Sequence, residues 1–255
     1  MSLLSTLEAY YDAAPRPTAT TEEVGPFTLF LRKEGDGWPY YARPSLGYDG
    51  PVTSAQVEAV RDRQRELEVP QSIEWVHETT PTLLAAAREA GLHVAECPLL
   101  VLPDGAEAFI PPLPEGFRVA MLTPDSPELA TVVAAVSAGF AGRDDLEERS
   151  AGRIPDLMRS GLMAMAEAYD GQGVVGGGSH SPRGTTTELT GIAVLPRARR
   201  QGVGAAITAA LVADARATGI STVFLSAQDD TVARVYERIG FQRVGTACIA
   251  EPADV

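Results

Sequence analysis

The run Ile192-Ala193-Val194-Leu195-Pro196-Arg197-Ala198-Arg199-Arg200-Gln201-Gly202-Val203-Gly204-Ala205-Ala206 holds the residue types and spacing best suited to chemistry. An apolar strand pattern ends, a basic turn follows, and two glycines open an apolar helix pattern. The first N–H groups of a helix have no intrahelical partner and point at whatever sits there. The helix dipole adds partial positive charge, and Arg199 and Arg200 add full charges. Glycine at 202 and 204 lets a pyrophosphate approach the backbone. The pattern therefore predicts an anion site. Two better-known phosphate loops fail on spacing. There is no G-x-x-x-x-G-K-S/T, and Ile207 stands where a dinucleotide fingerprint needs its third glycine. The other glycine-rich run, Gly173–Gly178, precedes a strand pattern and reads as a close-packed or bulged strand.

Three further side chains are candidates. Tyr236 lies beside Val232, Val235 and Ile239 on a helical stripe. A tyrosine is costly in a dry core because its hydroxyl needs a partner. Glu188 lies four residues before Ile192, and strand alternation predicts both on one face. His180 ends the preceding strand, and an imidazole suits proton transfer near neutral pH. His77 and His93 read as structural, and the three histidines show no metal spacing. Trp38, Trp75 and the pair Tyr40-Tyr41 read as core.

Certain elements must position these groups. Residues 26–44 predict a β-hairpin with Glu34-Gly35-Asp36-Gly37 between its strands. Thr53-Ser54 precede Val57, Val60, Gln64 and Leu67, a capped helix. Residues 72–76 predict a strand. Thr80-Pro81 open a helix, with threonine as cap and proline at the first helical position, stopping at Gly91. Residues 94–102 predict a strand. The Pro- and Gly-rich segment 103–116 reads as a linker, dividing the chain into 1–114 and 115–255. Beyond it come a strand (117–122), two helices (127–140 and 145–160) and three strands (163–169, 174–180 and 186–194). A helix (202–218), a strand (221–227), a helix (230–239) and a final strand (241–250) complete the chain. The order predicts a mixed α/β fold.

The two halves also align on each other. A shift of 149 residues places Ile73-Glu74-Trp75-Val76 on Thr222-Val223-Phe224-Leu225 without a gap. Thr80 falls on Asp229, each at a helix cap. Leu83, Ala86 and Ala90 fall on Val232, Val235 and Ile239, so the two helices are expected to bury one stripe. The first half has no basic glycine turn, and Ala87 stands where the second half has Tyr236.

Arg199-x-x-Gly202-x-Gly204 resembles the R/Q-x-x-G-x-G/A acetyl-CoA motif of the GNAT superfamily of N-acetyltransferases. Asp229-x-x-Val232-x-x-Val235-Tyr236-x-x-x-Gly240-Phe241 is similar to that family's N-x-x-A-x-x-L-Y-x-x-x-G-F segment, with Asp229 for the usual asparagine and Val232 for the usual alanine. The resemblance covers about residues 116–255 and implies two tandem GNAT-like units, the first degenerate. It implies an acetyl-CoA-dependent transfer to a primary amine of a small molecule or peptide, by direct attack in a ternary complex. In such a scheme Tyr236 is the general acid and Glu188, or else His180, the base. Backbone groups at Ile192, Ala193 and Val194 hold the pantetheine arm and polarise the carbonyl. Arg199, Arg200, Gln201, Gly202, Val203, Gly204 and Ala205 cradle the pyrophosphate, and Asp229 meets the pantetheine. The competing expectation is a non-catalytic acyl-CoA sensor or interaction protein.

Composition narrows the partners. The 255 residues carry a formal charge of −13, which repels nucleic acid and anionic membrane. Lys33 is the sole lysine. The apolar stretch 201–213 is too short to cross a bilayer. Two cysteines, Cys97 and Cys248, suggest no disulfide framework and no zinc site, so a reducing cytoplasm is expected; the expected assembly is a monomer or homodimer.

Overall fold

The computed structural model describes residues 2–33, 41–110 and 112–253. It is a mixed α/β protein in two compact units. The first comprises residues up to Leu100 together with Ser226–Ala233 and Arg243 onward; the second comprises Val101–Leu225 and Arg234–Gln242. These units interleave along the chain and so differ from a simple division at the linker. Among the described residues, 103–117 contain no helix or strand.

In the first unit, α1 (Leu3–Ala13) precedes β1 (Ala19–Val24), β2 (Phe27–Arg32) and β3 (Ala42–Pro44). Then come α2 (Ser54–Glu66), β4 (Ile73–Val76), α3 (Thr82–Glu89) and β5 (Leu92–Leu102). The C-terminal strand β11 (Gln242–Pro252) joins them, and the sheet order is β1-β2-β3-β4-β11-β5. β2 and β3 pair antiparallel, as the hairpin reading required; its Glu34–Gly37 connection, Trp38 and Tyr40 lie outside the described residues. Sequence reasoning missed β1, which pairs with β2 from Val24↔Phe27 outward, and α1. Leu7, Tyr10 and Tyr11 of α1 are buried.

The core of this unit joins Val57 and Val60 of α2, Leu83, Ala86 and Ala87 of α3, and Phe27, Leu29, Ile73 and Trp75 of the sheet. β11 pairs antiparallel with β4 and adds Cys248 and Ala250 to that core. One expectation at α3 fails. Pro81 is its N-cap and no side chain caps the turn, while the buried Thr80 offers only its carbonyl, to Leu83.

In the second unit, β6 (Arg118–Met121) leads into α4 (Leu129–Phe140) and α5 (Ile154–Arg159), much shorter than the predicted 145–160 helix. β7 (Ala164–Asp170), β8 (Gly173–Arg183) and β9 (Thr186–Val194) follow, then α6 (Val203–Ala217), β10 (Thr222–Ser226) and α7 (Asp230–Glu237), whose residues up to Ala233 belong to the first unit. The strand order is β10-β9-β8-β7-β6, with β10 parallel to β9 and the other pairs antiparallel. α4 packs on one face, with Val132 against Gly177. α6 packs on the other, with Ile207 and Leu211 against Gly178.

A shift of 149 residues carries α2 onto α6, β4 onto β10, α3 onto α7 and β5 onto β11, each within two residues. The buried stripe is not shared throughout. Val235 is 45% exposed where its counterpart Ala86 is buried, and Ala233 turns inward instead.

Candidate active site

The glycines of β8 create the site's geometry. A Cβ on Gly176 would run into the Ala193 carbonyl oxygen, and one on Gly178 would stand 2.8 Å from Ile192 Cγ1. Only glycine permits β9 to lie this close, as the close-packed reading of the run anticipated. The pairing slips between Gly177↔Ala193 and Ser179↔Thr190, so β9 spends one extra residue there. Gly191 takes φ +63 at that bulge.

The bulge overturns the expectation that Glu188 and Ile192 share a face. Glu188 pairs with Ser181, on the α4 side, with Ala193 and Gly177. Ile192 packs on Gly178 beneath α6. One inserted residue reverses the alternation, so four residues of separation end on opposite faces. β9 also parts from β10. Their parallel pairing runs from Thr186↔Thr222 to Glu188↔Phe224 and stops. Among the described residues, Leu189–Val194 have no pairing with β10, which leaves alternate backbone groups on that edge open to a ligand short of the Val194 carbonyl.

α6 begins where β9 and a short 3-10 turn (Pro196–Ala198) deliver the chain. Gly202 is the N-cap with φ +82, and Arg200 before it has φ +60. No side chain caps this helix. Its first internal bond runs from Ala206 N–H to the Gly202 carbonyl. Among the described residues the N–H groups of Gly202, Val203, Gly204 and Ala205 have no acceptor. Four aligned donors at the positive end of a 15-residue helix fit a phosphate or pyrophosphate. A Cβ on Gly204 would meet only Val194 Cγ2, at 3.9 Å.

The arginines divide their work. The Arg199 Nε donates to the Val194 carbonyl at 3.0 Å and Nη2 to the Gly139 carbonyl at 2.5 Å. Its charge therefore stitches the loop to the ends of β9 and α4, and it occupies one of the expected β9 carbonyls. Arg197 pairs with Asp170, and its backbone N–H donates to Asp144. Arg200 is exposed and, among the described residues, has no ion pair, so it is the loop cation open to an anion. The Gln201 amide donates to the Arg197 carbonyl at 3.3 Å. Sequence reasoning missed Gly139. A Cβ there would lie 3.1 Å from Ala193 Cβ, so a glycine at the end of α4 lets that helix reach the bulge.

Tyr236 lies near the end of α7. Its ring is half-buried and meets Phe241 edge-on at 6.0 Å. Burial pushes its phenol up to about 12. Among the described residues its hydroxyl has no hydrogen-bond partner. Asp229 belongs to the first unit and accepts the Val232 N–H at 2.8 Å, so it caps α7 as expected. His180 is 1% exposed, with Nε2 2.9 Å from Asp214 and Nδ1 3.1 Å from Thr187. Neither nitrogen is left to act as a base. Among the described residues no three His, Cys, Asp or Glu are grouped to hold a metal ion, and no helix is long and apolar enough to cross a membrane.

Comparison with known proteins follows the same lines. Residues 137–241 match the acetyltransferase (GNAT) family. No curated protein matches the chain. Among solved structures, a GCN5-related N-acetyltransferase from Kribbella flavida is similar over 100% of this chain and 97% of its own, at 21% identity and a TM-score of 0.78. One from Sphaerobacter thermophilus is similar over 90% of this chain and 81% of its own, at 15% identity and 0.62. A tandem GNAT protein from the clavulanic acid biosynthesis pathway is similar over 94% and 85%, at 17% identity and 0.58. The whole chain thus shares a fold with GNAT proteins, one of them a tandem, and its segment 137–241, which holds the loop from Arg197 to Ala205 and Tyr236, matches the GNAT acetyltransferase family.

Proposed function

We propose that this protein transfers an acetyl group from acetyl-CoA to a primary amine of a small molecule or peptide, by direct attack within a ternary complex. The observation that carries the reading is the row of unpaired N–H groups from Gly202 to Ala205, opening beyond the free edge of β9. Those donors and Arg200 would hold the pyrophosphate. Backbone groups of Ile192, Ala193 and Val194 would receive the pantetheine arm and polarise the thioester carbonyl; the Val194 carbonyl is already engaged by Arg199. Holding both reactants in one cleft supplies much of the acceleration.

Tyr236 is the donor to the departing sulfur. A phenol pushed to about 12 keeps its proton throughout the physiological range. It is a far weaker acid than an ordinary thiol of pKa about 8.5. Its contribution is therefore a hydrogen bond that strengthens as charge develops on sulfur. Glu188, on the α4 face of β9, serves as the base for the amine. Of the two units, the first is degenerate and holds no cofactor site, and the second, with β9, α6 and Tyr236, carries the catalysis. The site acts in the cytoplasm, where Cys97 and Cys248, both buried and free, stay reduced.

The test is thiol release from acetyl-CoA over a panel of amines. Amine-dependent release supports the transferase. Tight acetyl-CoA binding with no release over any amine would replace it with a sensor.

A further inference from the structure

Among the described residues, His180 is the one buried polar side chain that joins three elements of the candidate site. From β8 it reaches Asp214 on α6 and Thr187 on β9. A carboxylate only accepts, so Nε2 donates to Asp214, while Nδ1 faces the Thr187 hydroxyl. Thr187 is fully buried and immediately precedes Glu188, the last β9 residue to pair with β10. Asp214 belongs to the helix whose first turn presents the unpaired N–H groups. The surroundings are apolar, with Leu189 paired to His180 and Ile207 and Leu211 on the overlying helix. Apolar contacts between helix and sheet are non-directional and permit small slides. Two directed hydrogen bonds from a ring only 1% exposed do not, because either one, once broken, leaves a buried ring nitrogen unsatisfied, even though Asp214 itself is 31% exposed.

We propose that His180 is a positioning residue, which holds the α6 anion cradle in register with the open edge of β9. The proposal rests on the acyl-CoA reading above. A ligand gripped at its pyrophosphate by α6 and at its thioester arm by β9 is sensitive to that register. A ligand gripped by α6 alone is not.

The experiment uses the full chain as wild type, His180→Gln and Thr187→Val, the last removing only the hydroxyl. ADP probes the cradle and acetyl-CoA probes cradle and strand together. Thermal denaturation verifies that each variant is folded. The expected result is unchanged ADP affinity in both variants with kcat for acetyl transfer reduced ~10–100-fold. The double variant should be no worse than the poorer single one, since both break one chain of bonds. Wild-type kcat in folded Thr187→Val and His180→Gln overturns the proposal. So does an equal loss of ADP and acetyl-CoA affinity, which marks general loosening. A wild-type protein that binds neither probe overturns the acyl-CoA reading itself, and this proposal with it.

Discussion

The Gln56 side chain accepts the N–H of Thr53 at 2.9 Å, closing the first turn of α2 on itself. Thr53 Oγ1 in turn accepts the N–H of Gln56 at 3.4 Å, so the capping box is complete. At the corresponding positions of the second unit stand Gly202 and Ala205, which have no side chain able to do this. The same helix start is thus satisfied internally in one unit and open in the other.

That contrast predicts one CoA per chain. Calorimetric titration should return a stoichiometry of one, and two equivalent sites would contradict the assignment of the first unit as non-binding. Gln56→Ala should leave CoA affinity unchanged while costing the first unit about 0.5–1.5 kcal/mol, read as a fall in denaturation midpoint.

Gly202 and Gly204 should respond in opposite ways. Gly202 has φ +82, so alanine there is strained by about 1–2 kcal/mol whatever binds. Gly204 has ordinary helical geometry and open space, with only Val194 Cγ2 within 4 Å. Glycine at a helical position costs up to about 1 kcal/mol against alanine. Nothing within the protein requires it there; a closely approaching ligand would. Gly204→Ala should therefore stabilise the free protein and weaken CoA binding, and Gly204→Glu should abolish binding without unfolding. Calorimetry together with thermal melts checks both, and unchanged CoA affinity in Gly204→Glu would remove the cradle.

Much of this site was legible because its signals are local. An apolar strand, a basic turn and glycines at 202 and 204 specify an open helix start by residue type alone. The mixed α/β order followed from periodicity, and the repeat from a constant shift. The bulge at Gly191 was not legible, because an inserted residue changes the parity of a strand without changing its composition. Glu188 and Ile192 therefore stand on opposite faces, where simple alternation expects one. The division of labour among Arg197, Arg199 and Arg200 was hidden too, since it depends on Asp170, Gly139 and Val194 arriving from other elements. The box at Thr53 and Gln56 could have been read from its four-residue signature.

Glu74 on β4 sets a pH dependence for the first unit. Burial pushes its carboxyl up to about 7, which the buried Arg43 guanidinium offsets only in part and Glu251 reinforces. In the unfolded chain this group titrates near 4.5. Between the two values the folded state holds a proton that the unfolded state has released. Stability therefore falls as pH rises from about 4.5 to about 7 and then levels. Glu74→Gln should remove that slope and raise stability at pH 8 by about 1–3 kcal/mol. Denaturant titrations at pH 5, 6.5 and 8 test it, and an unaltered slope in the variant would assign the dependence to other groups.

Tyr236→Phe keeps the ring and its edge-on contact with Phe241 and removes only the hydroxyl. That hydroxyl has no partner among the described residues, so its loss should cost the free protein little stability. Deprotonation should be costly instead. The phenol titrates near 10 when unfolded and about 12 when folded, so wild-type stability should fall as pH rises from 10 to about 12, and Tyr236→Phe should flatten that fall. In catalysis the variant should lose about 10²–10³-fold in kcat with CoA affinity nearly unchanged, because the donor acts as charge develops on sulfur. The activity profile separates the groups further. Any alkaline limb well below 12 belongs to another residue or to the amine, and Tyr236→Phe should leave its midpoint in place. Glu188→Gln should mainly flatten the acidic limb of kcat/KM, measured with an amine whose own pKa lies outside the window. Wild-type turnover in Tyr236→Phe, with chemistry rate-limiting, would reduce Tyr236 to a packing residue beside Phe241.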